Sequence, residues 1–283
     1  MYFIENKLVA KSQSYKGLIN KSNEICMFTI ENFNIVSKQK KAIFNWSSGK
    51  DSALTLYKIL QNPEYKIEYL LTSVNQQFQR ISMHGVRVEL LESQSKSIGI
   101  PLKILQIPEM PSMEVYENVM TETLTELKNE GITHSVFGDI FLEDLRKYRE
   151  NQLAKIGFKG VFPIWKIPTQ NLIQEFIALG FRTIVVCVNE RYLDKSFVGR
   201  IIDQDFINNL PDNVDVCGEN GEFHTFTFDG PIFSEPINFE IGEIVYRKYE
   251  KSGNEDTSNT ACDTNTDDPF NFGFWYCDLI PKN

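Results

Sequence analysis

The stretch Phe44-Asn45-Trp46-Ser47-Ser48-Gly49-Lys50-Asp51-Ser52-Ala53-Leu54 sets three hydroxyls, a glycine, a lysine and an aspartate between an apolar strand-like run and a helix-like one. A phosphate site needs a tight turn, several backbone N–H groups pointing one way, and a helix starting there to add its positive end. This stretch supplies all three. Gly49 is free to take positive φ and to let phosphate oxygens approach the backbone. Ser47, Ser48 and Ser52 add hydroxyl donors, and Lys50 adds a positive charge. Asp51 is placed to cap the helix or to approach a magnesium ion. A simple Ser/Asp-capped junction needs neither the glycine nor the lysine, which favours the phosphate reading. The spacing is not G-x-x-x-x-G-K-[ST], so the loop is not the common P-loop of kinases and GTPases.

Other residues offer weaker signals. Glu143, Arg146 and Glu150 fall on one helical stripe, either a solvated ion-paired face or a charged wall of a site. Glu219 and Glu222 flank the turn Gly218 to Glu222, where Asn220 tolerates the left-handed conformation. The pair could face a substrate or magnesium, or the turn could be a plain polar hairpin. His84 could touch a nucleotide or cap a helix. His134 opens a buried strand and reads as structural. The five cysteines, Cys26, Cys187, Cys217, Cys262 and Cys277, form no CxxC pair, which argues against zinc, iron–sulfur ligation and a disulfide framework. No Ser-His-Asp or Cys-His nucleophile stands out.

The elements that must position these residues are regular from Lys41 onward. Ala42–Trp46, Ile67–Val74, Lys103–Ile107 and His134–Gly138 read as strands. Between them, Ala53–Leu60, Val86–Ile98 and Val115–Asn129 read as helices, the last two ended by Gly99 and Gly131. This alternation implies βαβ units and a mainly parallel sheet. Helix follows at about 142–156 and 170–179, then a buried strand at Thr183–Val188, and a hairpin is expected over Val214–Phe228. The organisation expected is an extension over 1–40, a phosphate-binding domain over 41–165, a smaller α+β lobe over 166–250, a flexible linker over 251–268 and a docking tail over 269–283. A net charge of −9 argues against a basic nucleic-acid surface. No apolar run approaches a membrane span and no signal-peptide core opens the chain, so a cytoplasmic protein without a membrane partner is expected.

The phosphate stretch resembles the SGGxDS loop of the PP-loop ATP pyrophosphatases, with Ser48 where the first glycine usually stands. Further segments resemble the diphthine–ammonia ligase family. These are His84-Gly85-Val86-Arg87, Leu193-Asp194-Lys195-Ser196-Phe197-Val198-Gly199-Arg200, Cys217-Gly218-Glu219-Asn220-Gly221-Glu222-Phe223-His224-Thr225 and Asp229-Gly230-Pro231-Ile232-Phe233. Order and spacing agree from about Lys41 to Ile241. A Tyr-Gln-Arg-x-Arg stretch found in eukaryotic and archaeal members reads Asp144-Leu145-Arg146-Lys147-Tyr148-Arg149 here, with Arg149 one place off, which resembles a bacterial-type branch.

The resemblance implies a parallel-sheet α/β domain of the adenine nucleotide alpha hydrolase type with a smaller C-terminal lobe. It implies ATP and magnesium as cofactors, and a ligase that activates a carboxylate acceptor as an acyl-adenylate for attack by ammonia. On that reading Ser47, Ser48, Gly49, Lys50, Asp51, Ser52, His84 and Gly138 bind the nucleotide. Lys50, Arg146, Glu219 and Glu222 serve catalysis, and Asp51 approaches the metal. The rival readings are a PP-loop enzyme acting on tRNA and a nucleotide-binding regulator without turnover.

Overall fold

The computed structural model describes residues 39–81, 84–108, 111–248 and 272–282. The expected extension, up to residue 38, and the expected linker over 251–268 lie outside the described residues.

The first sheet is built from β1 (Lys40–Asn45), β2 (Tyr65–Asn75), β3 (Arg80–Ile81), β4 (Leu102–Ile107), β5 (His134–Val136) and β6 (Lys159–Val161). Helices α1 (Lys50–Leu60), α2 (Val88–Ile98), α3 (Met113–Asn129) and α4 (Glu143–Lys155) connect them. β1 runs parallel to both β2 and β5, β2 to β4, and β5 to β6. Leu70 and Leu71 pair with both β1 and β4, so those strands flank β2 on opposite edges. The strand order therefore reverses at β1, and such a switch point opens a crevice at the carboxyl ends of the strands. The phosphate stretch follows β1 at that end.

Local chemistry explains the elements. β1 lies in the middle of the sheet, and Ala42, Ile43 and Phe44 are fully buried, as expected of a parallel strand covered on both faces. Its side chains alternate. Ala42 and Phe44 join the larger apolar cluster, which reaches the second sheet. Ile43 joins a smaller cluster with Leu124 and Leu127 of α3 and Leu153 of α4. Ser112 caps α3 by accepting from the Val115 N–H at 3.2 Å. Gly99 ends α2 at φ 78°, where an L side chain would be strained.

The second sheet is antiparallel, in the order β8-β7-β10-β9. It comprises β7 (Arg182–Asn189), β8 (Phe223–Asp229), β9 (Phe239–Lys248) and β10 (Gly273–Pro281), with α5 (Thr169–Ala178) and the short α6 (Gln204–Asn208). The C-terminal segment enters as β10, an inner strand between β7 and β9. The hairpin expected over Val214–Phe228 is not formed. Residues 214–222 are turns, and β8 pairs with β7 instead. No helix among the described residues is long and apolar enough to cross a membrane.

The two sheets meet at Gln94 of α2, which is fully buried. Its Oε1 accepts from Trp46 Nε1 at 2.9 Å, and its Nε2 donates to the carbonyls of Thr227 (2.6 Å) and Ser48 (3.3 Å). Replacing Gln94 by leucine leaves the buried Trp46 N–H without an acceptor and takes a donor from Thr227. Gln94→Leu is expected to lower unfolding free energy by about 2–6 kcal/mol, at 1–3 kcal/mol for each of the two buried groups. Urea denaturation of parent and variant checks this.

Candidate functional site

The phosphate stretch is a loop hung between β1 and α1. One carbonyl and one amide fasten it to β8. Thr227 N donates to Ser48 O at 2.9 Å, and Lys50 N donates to Thr225 Oγ1 at 3.0 Å. Ser52 Oγ accepts from Ser47 N at 3.1 Å and lies 2.7 Å from Ser47 Oγ. The amides of Gly49, Asp51 and Ser52 have no hydrogen-bond partner among the described residues. Together with the N-terminus of α1 they leave unmatched donors at the loop.

The glycine in this loop has a different task from the one expected. Gly49 is extended, at φ −87°, and the residue with positive φ is Ser48, at 70°. Gly49 is needed for closeness. A Cβ there would stand 3.2 Å from Thr225 O and 3.3 Å from His84 Cε1. Ser48 is fully buried and its Oγ has no hydrogen-bond partner, so its hydroxyl is not the phosphate donor that its position suggested.

The loop opens on a cleft of about 530 Å³. Of the expected site residues, Ser47, Gly49, Lys50, Asp51, Ser52, His84, Gly138 and Glu219 line it, while Ser48, Arg146 and Glu222 do not. Gly138 lets α1 approach, since a Cβ there would meet Thr55 Oγ1 at 3.2 Å and the Asp51 backbone at 3.4 Å. Lys50 is 4 % exposed, and its Nζ pairs with Asp51 Oδ2 at 2.7 Å and donates to Cys217 O. Burial opposes its charge, but Asp51, Cys217 and Glu219 together raise its pKa, so it stays an ammonium. Asp51 makes no side-chain cap to α1.

Arg146 and Glu222 lie away from the cleft lining. The Arg146 guanidinium lies over the rings of Phe162 and Trp165, 4.6 and 4.7 Å from their centres, and pairs with Glu150 at 2.9 Å. Arg149 lines the cleft instead, pairing with Asp139 at 2.8 Å. Glu222 is fully buried. Its carboxylate accepts from Asp215 N (2.9 Å), Asn220 N (2.8 Å) and Asn220 Nδ2 (3.0 Å). These bonds fix the shape of the turn. That turn presents Glu219, whose Oε1 accepts from Ile140 N at 3.2 Å. Burial first, then the Asp51 carboxylate, push its pKa up to about 7.

Two histidines share the cleft wall. His84 and His224 have ring centres 4.6 Å apart at 34°, and His84 Nδ1 lies 3.3 Å from Thr225 O. The role of His224 went unread because it was one letter inside a longer motif. Among the described residues no group of three or more His, Cys, Asp or Glu side chains could hold a metal ion unaided. Magnesium that travels with a nucleotide is commonly held by one or two carboxylates plus the phosphates. Asp51 and Glu219 both line the cleft and supply two carboxylates of that kind.

Two family models match the chain. One is described as the diphthamide synthase N-terminal domain, over residues 39–160, and the other as the diphthamide synthase C-terminal domain, over 168–257. The chain belongs to the diphthamide synthase family. Among its relatives, the diphthine–ammonia ligase of Bos taurus is 28% identical over 130 residues, 44% of this chain and 49% of the relative. That of Homo sapiens is 27% identical over the same length and shares. That of Schizosaccharomyces pombe is 25% identical over 111 residues, 35% of this chain and 18% of the relative. The matched region spans about half the length of the two mammalian relatives.

Two outcomes follow for the family's loop and histidines in this chain. A non-glycine residue in the left-handed region costs about 1 kcal/mol, and the Ser48 hydroxyl is buried without a partner. Ser48→Gly is therefore expected to raise stability by about 1 kcal/mol, measured by thermal and urea unfolding. The histidine pair gives a pH dependence. Burial, and then contacts including the Lys50 charge, lower the His84 pKa to about 4 and that of His224 well below 6.5. The unfolded chain takes up protons below 6.5 that the folded chain refuses, so stability is full above that pH and falls as pH drops towards 4. Urea midpoints at pH 7.5 and pH 5 should differ less in a His84→Asn/His224→Gln variant than in the parent.

Proposed function

We propose that this chain is an ATP-dependent, AMP-forming amide ligase that joins ammonia to a carboxylate. The observation that carries the reading is the pairing across one cleft. Free loop amides and the Lys50 ammonium stand on one wall, and a carboxyl with a pKa near 7 on the other. The names of its relatives, diphthine–ammonia ligases, support the same class of reaction.

On this proposal the loop amides and Lys50 hold the phosphates of ATP and leave the α-phosphate open. The acceptor carboxylate attacks that phosphorus, the bond to the β-phosphate bridging oxygen breaks, and pyrophosphate leaves. Charge grows on the phosphate oxygens, and preorganised N–H groups and cations stabilise it. Lys50 and Arg149 are the cations in place. Magnesium would neutralise phosphate charge, with Asp51 and Glu219 as its protein ligands. Ammonia then attacks the acyl carbon, AMP departs, and the nitrogen must lose a proton. Glu219, when free of metal, has the pKa a base needs at neutral pH. Its carboxylate also stands beside the loop.

Product analysis tests this. The protein is incubated with ATP, magnesium, ¹⁵N-ammonium and a host metabolite extract. Equimolar AMP and pyrophosphate are expected, together with a product carrying one ¹⁵N. Glu219→Gln should turn over about a hundredfold more slowly than the parent, the low end of what a positioned acid–base group contributes. ADP and phosphate as the nucleotide products would overturn the reading.

A further inference from the structure

A second cavity, of about 570 Å³, shares Ile81 and His84 with the nucleotide cleft. Its floor is one face of the β9–β10 ladder. Glu243, Val245 and Arg247 alternate along β9, and Tyr276, Asp278 and Ile280 along β10, so each set points the same way. Phe78, on the β2–β3 connection, and Arg80, the first residue of β3, form the lip. Two large apolar side chains, Phe78 at 49 % and Ile280 at 43 %, stay exposed on this cavity.

The charges are unevenly matched. Asp278 accepts from Arg80 Nη1 (2.8 Å), Arg87 Nε (3.1 Å) and Arg87 Nη2 (2.6 Å). Burial works to raise its pKa, but the two guanidiniums outweigh it and hold the carboxyl down at about 2. One carboxylate thus faces two arginines. Arg247 has no ion-pair partner among the described residues. Glu243 has none among them either, so on the cavity face of β9 one cation and one carboxylate lack an ion-pair partner among the described residues.

The inner end of the cavity reaches the phosphate loop. Tyr276 pairs with Val245 across the ladder, and Gly85 packs on the Tyr276 ring, 3.3 Å from where its Cβ would be. His84, beside it, comes within 3.3 Å of a Cβ built on Gly49. One imidazole therefore separates the cavity from the loop. Arg247 stands two residues from Val245 on the same face, about 7 Å along the strand.

We propose that this cavity holds the acceptor of the ligase reaction, and that the acceptor carries two anionic groups on an apolar stem. One group, the carboxylate to be amidated, passes His84 to the nucleotide. The other rests on Arg247, with the stem against Phe78, Val245 and Ile280. The proposal rests on the ligase reading for the word acceptor, and on the cavity itself for the chemistry of the ligand.

The test uses the full chain with a non-hydrolysable α,β-methylene ATP analogue and adipate as the probe, read by saturation-transfer NMR and calorimetry. Hexanoate and hexylamine serve as comparison probes. Adipate should bind the parent more tightly than hexanoate, and hexylamine should not bind. Arg247→Ala, at an exposed position, should weaken adipate by about tenfold or more, the loss expected for one hydrogen bond to a charged group. Val245→Trp should fill the cavity and abolish adipate binding. Both variants should keep the parent's affinity for the nucleotide analogue, which also reports that they fold. Absence of adipate binding to the parent, or binding unchanged in both variants, overturns the cavity assignment whatever the nucleotide products are. Adipate bound at Arg247 in a protein that never forms AMP supports the anion site and overturns the ligase reading.

Discussion

The site depends on one division of labour in the Ser47–Ser52 backbone. A loop built to bind phosphate must keep several N–H groups free, so its anchorage to the second sheet is left to the Ser48 carbonyl and the single Lys50 amide. Here Ser48 O takes donors from Thr227 N and Gln94 Nε2, both on the side away from the cleft. Such bonds are modest singly, but leaving buried partners unmatched costs more than making them gains. The second sheet therefore fixes the shape of the phosphate loop, and the lobe that carries Glu219 is held in register with Lys50 by the same bonds. The close fit also explains the glycine. Thr225 and His84 fill the space that a Cβ on Gly49 would need. The backbone twist that a glycine would accommodate without strain falls on Ser48 instead.

That anchorage brings charges of both signs into a partly buried cleft. Lys50 lies between Asp51 and the Cys217 carbonyl, and Arg149 lies against Asp139. Burial raises the pKa of Asp139, and Arg149 only partly counters it. Burial, and then the Asp51 carboxylate, outweigh the Lys50 charge at Glu219 and push its pKa up to about 7. The histidines have the opposite problem. Burial beside an ammonium keeps both imidazoles neutral, so the wall nearest the loop adds no charge of its own beside Lys50.

Much of this was legible in the sequence where the signal is local. The order of strands and helices from Lys41 to Gly138 follows from periodicity and from Gly99, and the phosphate stretch from residue types at fixed spacing. The α/β class and the family follow from the ordered motifs. What sequence reading missed is set by packing between distant segments. Arg146 and Arg149 lie within one helical turn, and spacing alone cannot say which meets the cleft. Phe162 and Trp165, brought over by β6, cover Arg146 and leave Arg149 to the site. Glu219 and Glu222 look equivalent around their turn, yet three N–H groups of the turn converge on Glu222. The expected hairpin partner of β8 was wrong because β7, more than thirty residues earlier, offers a longer buried edge.

The position of β10 carries the argument furthest from local signal. An aromatic tail reads as something that docks, but periodicity does not reveal that it becomes an inner strand. By pairing with both β7 and β9 it joins β9 to the β8–β7 pair in one four-stranded sheet, with β9 as its edge. One face of that sheet packs into the core through Cys277 and Leu279. The alternation of a strand then obliges Tyr276, Asp278 and Ile280 to point the other way. Asp278 on that face captures Arg80 and Arg87, which ties β3 and the start of α2 to the last strand. His84 lies on the segment between those two arginines, so its approach to Gly49 is governed from the chain's far end. The geometry of the phosphate loop is thus fixed by β8 on one side and, through Asp278 and His84, by β10 on the other.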